Sequence, residues 1–340
     1  SAENADGIWI RNTTAHFVIR NCYVHGGKEN YLGIYFESVK NGKISDFISN
    51  MNRYGISLSN SDNNLIENCV NENNLVGVGL SHSDNNLIEN CVNENNGYGV
   101  DLYFSSNNII SGCISSNNSW EGICVGGDDR PLNNIITNCV ISNSEDGILF
   151  GYADNNVVTG CTIVNSDYGI FICRESDNNV IEGCTIRNNN YGVVVTMISS
   201  SNVIINNVIS NNGWDNGGCG VGIDSGYNYF YHNNFKNNRR HACMAILCPP
   251  NYWDNNYPSG GNYWDDYGGG DGYQGPNQDI PGSDGIGDTP HQIHYDPDVF
   301  DYYPFVTPVG GEFNLATLYK VSLSVNFYFE VGSKLVVKFY

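Results

Sequence analysis

The string SDNNLIENCVNENN begins at Ser61 and again at Ser83, an offset of 22 residues. A chain that repeats at this period cannot bury its apolar residues within one copy and must stack the copies, which restricts the fold to a solenoid or a repeat array. Weaker copies follow. One asparagine column runs Asn64, Asn86, Asn108, Asn134, Asn156, Asn179 and Asn202, with steps of 22, 22, 26, 22, 23 and 23. A second column, from Asn73 through Asn95, Asn117, Asn143, Asn165 and Asn188 to Asn211, has the same steps, so the two share one insertion and mark coils in register.

Within each coil a Gly-apolar-x-apolar pattern recurs, as in Gly55-Ile56-Ser57-Leu58 and Gly147-Ile148-Leu149-Phe150. That is strand alternation with the two apolar side chains facing inward. Asparagine tolerates the left-handed backbone of a sharp bend, and its amide can bond to the same amide one coil along. The expected fold class is all-β: a right-handed parallel β-helix, three-sided, with coils of about 22 residues. It is expected over residues 1–250, followed by a Gly/Asp/Tyr-rich cap at 251–307 and a linker and β-strand tail at 308–340. Gly7, Ile8 and Ile10 already fit the repeat and no signal peptide opens the sequence, so a mature or excised piece is expected, with Ser1 partway into a coil.

Charge narrows the partners. With 15 Lys+Arg against 36 Asp+Glu the formal charge is −21, which repels phosphate backbones and anionic lipid heads. Nucleic-acid and membrane-surface roles are disfavoured, and no apolar run approaches the roughly 20 residues of a membrane span. Cations and neutral polymers remain as partners.

Six of the 12 cysteines form one column, Cys69, Cys91, Cys113, Cys139, Cys161 and Cys184. Equivalent residues of stacked strands lie about 4.8 Å apart with parallel Cβ vectors, whereas a disulfide needs Cβ atoms near 3.8 Å and turned together. The column is therefore expected to be reduced and buried. Cys219, Cys243 and Cys248 lie close in sequence, and a bridge among them stays open.

These repeats resemble the parallel β-helix repeat superfamily and, within it, NosD-like archaeal cell-surface proteins. The stretch NYWDNNYPSGGNYWDDY (Asn251 to Tyr267), then Asp284 to Pro290 and Asp301-Tyr302-Tyr303-Pro304, resembles their terminal segment. The resemblance implies fold and an extracellular or cell-surface location; the superfamily holds carbohydrate binders, sugar hydrolases, lyases and structural proteins. NosD carries a copper-delivery association, but Met51, Met197, Met244 and the seven histidines are scattered along this sequence, where copper needs a cluster.

Four features could carry chemistry. Asp279, Ser283, Asp284 and Asp288, with the Ile286 carbonyl, are candidate calcium ligands, since Ca²⁺ takes 6–8 oxygens from closely spaced acids. The alternative for that segment is an Asp/Gly turn without metal. The insertion at Gly126 to Pro131 brings Asp128, Asp129 and Arg130, with Arg174 and Glu175 two coils on, as candidates for proton transfer to a sugar. The polygalacturonase and pectate lyase signatures are absent, so a turn with solvated charges is preferred there. The outward residue of the repeated strand becomes apolar at Cys124, Leu149, Phe171 and Val194, a stripe expected to be covered by the chain's own C-terminal segment, another subunit or a ligand. Finally, alternation from Tyr319 to Phe339 predicts a hairpin with one apolar face, completed by further chain or by a neighbouring subunit. The preferred function is a non-catalytic structural module of an envelope or filament assembly, in contact with copies of itself, other envelope proteins or glycans; the alternative is a polysaccharide lyase or hydrolase working through residues 126–131.

Overall fold

A computed structural model gives the structure of residues 7–310 except 129, 216, 246–247 and 296–297, and leaves aside the side chains of 27–30 and 295. The expected hairpin and Asp129 lie outside the described residues.

The described chain is all-β, a parallel solenoid of about ten turns. One coil shows the plan: a short strand Leu65–Glu67, a second Val70–Glu72 and a longer third Val76–Ser81. Each pairs in register with its counterpart one coil along, as in Ile66↔Ile88 and Leu58↔Leu80. The first strands form a 10-stranded sheet; the second and third join into one of 20 strands, reaching Tyr263–Trp264. Inward apolar residues such as Ile66, Ile88, Ile110 and Ile136 are wholly buried in one continuous core.

At the bends, neighbouring residues divide two tasks. Asn63, Asn85, Asn107, Asn133 and Asn155 take φ of 56–59°, the left-handed region. The next residue, from Asn64 to Asn251, points inward and builds an amide ladder. Asn134 accepts from the Asn108 backbone N–H at 2.9 Å and Nδ2 at 3.2 Å, and donates through its own Nδ2 to Asn156 Oδ1 at 3.0 Å and the Ser105 carbonyl at 3.0 Å. The ladder satisfies backbone groups that the turn strips from the sheets. At the second bend Asn73 and its column supply the positive φ, while Asn74, Asn96 and their successors form the ladder.

The cysteine column occupies the third bend and is buried and reduced, as its spacing implies. It also does polar work that a purely apolar reading misses. Each thiol donates to the carbonyl two residues back, Cys69 Sγ to Glu67 O at 3.2 Å for example, and Cys139 N–H approaches Cys161 Sγ at 3.4 Å. Asn207, Asn233 and Asn262 then continue the same column as an amide ladder, Asn207 Nδ2 reaching Asn233 Oδ1 at 3.0 Å. Among the three later cysteines the bridge is Cys219–Cys243, with Cys248 free. Cys243 is in register with Gly222 rather than Cys219, so the sulfurs meet diagonally and escape the geometry that forbids bridges within a column.

The tyrosine- and tryptophan-rich motif closes the end of the stack. Trp253 lies on Phe230 with centroids 4.6 Å apart, and Trp264 on Phe235 at 4.2 Å. Asp301, wholly buried, accepts from Asn262 N at 2.7 Å, Trp264 Nε1 at 2.9 Å and Tyr303 N at 3.1 Å. Burial outweighs those bonds and pushes its carboxyl up to about 7.

Candidate functional site

The described residues of the insertion at 126–131 bring one exposed acid and an arginine that is paired elsewhere. Asp128 is exposed, while Arg130 reaches forward to Asp154 Oδ2 at 3.1 Å and to the Glu175 carboxylate and its carbonyl. A guanidinium tied to carboxylates one and two coils along is an inter-coil clamp, and Arg174 stands exposed beside it.

In the 271–288 segment the organising acid is Asp271, which the calcium reading does not name. It accepts from Ser283 Oγ at 2.6 Å, Asp284 N at 3.1 Å and Gly285 N at 2.9 Å. Asp284 accepts from Ile286 N and Gln278 Nε2, Asp288 from Gly272 N and Tyr273 N, and Asp279 is exposed. These carboxylates accept hydrogen bonds from the turns around them.

A different acid cluster emerges on the outer surface of the long third strands. Glu121 and Asp146 are register partners on successive coils, and Asp101 pairs with Cys124 beside Glu121. Asp146 is only 8% exposed, and Glu121 Oε2 is buried without a hydrogen-bond partner. Burial, with Glu121 next in effect, pushes Asp146 up to about 7; burial pushes Glu121 up to about 7 and Asp101 up to about 6. No lysine or arginine among the described residues acts on any of the three. Uncompensated carboxyls that titrate near neutrality are a mark of functional sites.

Aromatic rings flank them. Tyr98 packs on Trp120 at 4.9 Å, and Tyr168 stacks on Phe171 at 4.9 Å and Tyr191 at 5.2 Å. The apolar stripe Cys124, Leu149, Phe171, Val194 runs alongside the tyrosine row, with Phe171 stacked on Tyr168, and is half-buried. At its far end Tyr168, Tyr191, Val194 and Gly222 line a shallow depression of about 310 Å³. Reading the sequence for chemistry passes over Glu121 and Asp146: both stand immediately before the glycine of the repeated strand, where strict alternation from the inward Ile123 and Ile148 points them to the core, and the structure shows their place on the outer surface.

A fourth cluster corrects the impression that the histidines are scattered. His241 Nε2 lies 2.9 Å from Asp265 Oδ1 and 3.3 Å from Asp266 Oδ1, and His291 Nε2 lies 3.5 Å from the same Asp266 oxygen. Imidazole and carboxylate donors suit Cu(II) or Zn(II), whereas thioether and thiolate donors suit Cu(I).

Two family models match the sequence: a right-handed β-helix region over residues 1–132, and the periplasmic copper-binding protein (NosD) over residues 77–216. This chain is a parallel β-helix repeat protein that resembles the NosD family. No curated protein sequence matches it. Among solved structures, the β-helix is similar to the Azotobacter vinelandii mannuronan C-5 epimerase AlgE6 A-module, at 15% identity over 73% of this chain and 77% of that one, with a TM-score of 0.59. It is also similar to the periplasmic alginate epimerase AlgG, at 16% identity, 64% and 61% coverage and a TM-score of 0.50. The chain thus spans about three fifths of AlgG. At these identities the likeness is one of fold.

Proposed function

We propose that this β-helix is an extracellular or envelope solenoid whose long-strand face holds a glycan chain. The observation that carries the reading is the cluster of Asp101, Glu121 and Asp146, uncharged in part at neutral pH and bordered by tyrosine rings. Sugars are bound by such pairings: a ring face stacks on an aromatic side chain, while carboxyls exchange hydrogen bonds with hydroxyls. A flat sheet with identical spacing between coils also suits a linear polymer. AlgE6, a mannuronan C-5 epimerase, and AlgG, an alginate epimerase, share the fold and support a glycan partner. NosD and AlgG are both periplasmic, which supports the location.

The role we infer is binding without turnover, supported by the shallowness of the depression that Tyr168, Tyr191 and Val194 line. Catalysis is the second reading, favoured by Glu121 and Asp146, since one protonated and one ionised carboxyl side by side could work as general acid and base. A panel of polysaccharides tested by affinity electrophoresis and for released reducing ends or unsaturated products decides. Retarded migration that Tyr168→Ala and Asp146→Asn abolish, without product, supports the binding module; product lost in Glu121→Gln supports the enzyme; migration unaffected by every glycan overturns both.

A further inference from the structure

We propose that His241, His291, Asp265 and Asp266 form a binding site for a divalent transition-metal ion, with Cu(II) held more tightly than Zn(II), that fastens the last coil of the solenoid to its cap. The site lies outside the stretch that matches the NosD model, residues 77–216.

Geometry supports it first. Ligands about 2.0–2.2 Å from a common ion stand roughly 3–3.5 Å from one another, and the contacts here are 2.9, 3.3 and 3.5 Å. Among the described residues, His241, Asp265 and Asp266 are the group of three such side chains whose donor atoms lie within 4.8 Å of each other, and His291 joins them through Asp266.

The donors are also held in place, as a metal site requires. His291 stacks on Trp264 at 4.9 Å, and Trp264 on Phe235 at 4.2 Å, so the imidazole is clamped in an aromatic pile. The second carboxylate oxygen of Asp265 accepts from the Asn237 backbone N–H. Both imidazoles are nearly buried, with side-chain exposures of 10% and 12%, whereas Asp266 at 61% leaves a route in from solvent. Two imidazole nitrogens with two carboxylates make a mixed N/O set that favours Cu(II) over Zn(II) and disfavours Ca²⁺, which takes oxygen ligands.

The surroundings also limit affinity. Asn238 Oδ1 accepts from Asn212 N and Nδ2, so its Nδ2 must face His241 Nδ1, at 3.3 Å. Nδ1 is thereby an acceptor and the ring proton sits on Nε2, shared between Asp265 and Asp266. On binding an ion at Nε2 the ring carries its proton on Nδ1, against the Asn238 amide, and an unsupportive outer partner of this kind weakens a site by about 10–100-fold.

The test uses the whole protein with its accessible thiols blocked by alkylation under native conditions. Titration with Cu(II) should give one ion per chain, with an electron paramagnetic resonance spectrum showing two imidazole nitrogens. Zn(II) should raise the melting temperature, a chelator should reverse it, and Ca²⁺ should leave it unchanged. Asp266→Asn, at an exposed position that leaves the fold intact, and His291→Gln should each weaken Cu(II) binding at least tenfold. Absence of stoichiometric binding, a spectrum with fewer than two nitrogens, or affinity unchanged in both variants would overturn the proposal.

Discussion

Adjacent asparagines at 133 and 134 should respond to substitution in opposite ways, because one shapes the backbone and the other hydrogen-bonds the stack. Asn134 is buried; replacing it with alanine orphans the Asn108 backbone N–H and the Ser105 carbonyl. The Asn108 amide keeps the Ser106 carbonyl at 3.1 Å, and Asn156 Oδ1 keeps the Asn134 N–H at 2.8 Å, so two groups are lost rather than four. At about 1–3 kcal/mol for each orphaned buried group, Asn134→Ala should cost about 4 kcal/mol. Asn133 is exposed with φ 59°, and alanine there meets the left-handed penalty, about 1 kcal/mol after allowing for what asparagine itself bears, and gives up only a long, solvent-exposed bond from Nδ2 to Asn107 Oδ1 at 3.4 Å. Asn133→Gly should be near neutral, since glycine adopts that φ freely, while Asn134→Gly should cost as much as alanine. Equilibrium guanidinium chloride unfolding measures this, followed by circular dichroism for all coils and by tryptophan fluorescence for the cap, where Trp253 and Trp264 are buried. Coincident transitions are required before free energies are compared, because a stack of repeats can unfold in parts. Equal costs at 133 and 134, or a large cost for Asn133→Gly, would refute the division of labour.

Asp146 has a folded pKa of about 7 against an ordinary 3.8, so the folded chain binds more protons than the unfolded one between these values and its contribution to stability falls as pH rises through them. Buried His232 and His291, with lowered pKa values, act in the opposite sense below about pH 6.5, so the comparison is with a variant: Asp146→Asn should gain on the wild type progressively from pH 4 to 8, read as a melting-temperature difference. The Cys139 thiol, with burial, pushes Cys113 up to about 12, and the column should resist alkylation in the native protein; unfolding without reductant should yield ten modified cysteines of the 12 and reduction all of them, counted by intact mass. With Asp284 and Asp288 engaged by backbone amides, Ca²⁺ should leave the melting temperature unchanged within a degree; a clear rise that Asp284→Asn removes would instead establish calcium at 279–288.

Coil length, strand alternation and the burial of the cysteine column were legible because a repeat samples one environment many times, and each copy averages out local accident. The same averaging hid the split within each Asn-Asn pair: both residues recur with the same period, and only backbone φ separates Asn63 from Asn64. Asp101 could be placed outward from the pattern, yet its pairing with the row of Glu121 and Asp146 depends on how two outward rows lie side by side across coils. His241 and His291 were out of reach for another reason. They meet where the repeat has ended and the cap folds back, and no periodicity relates them.

The acid cluster belongs to this architecture in a way it would not belong to an ordinary globular core. In a solenoid each coil gains its stability chiefly from its two neighbours, so a local cost is borne by the adjoining interfaces and does not propagate. The coils of Asp101, Glu121 and Asp146 have Val100, Ile123 and Ile148 wholly buried on their inner side, and the backbone register is unbroken through all three. The inner column thus holds the strand in place whatever its outer residue does. Because successive side chains point to opposite sides of a strand, the outer row is free to carry groups that folding alone disfavours. Buried carboxyls without cations lower stability at neutral pH, and an amide at the same positions would remove that cost. That Glu121 and Asp146 stand on successive coils at a row where the coils on either side carry Tyr98 and Tyr168, with Asp101 in the adjoining row, supports the proposed binding surface, which a purely structural stack has no need of.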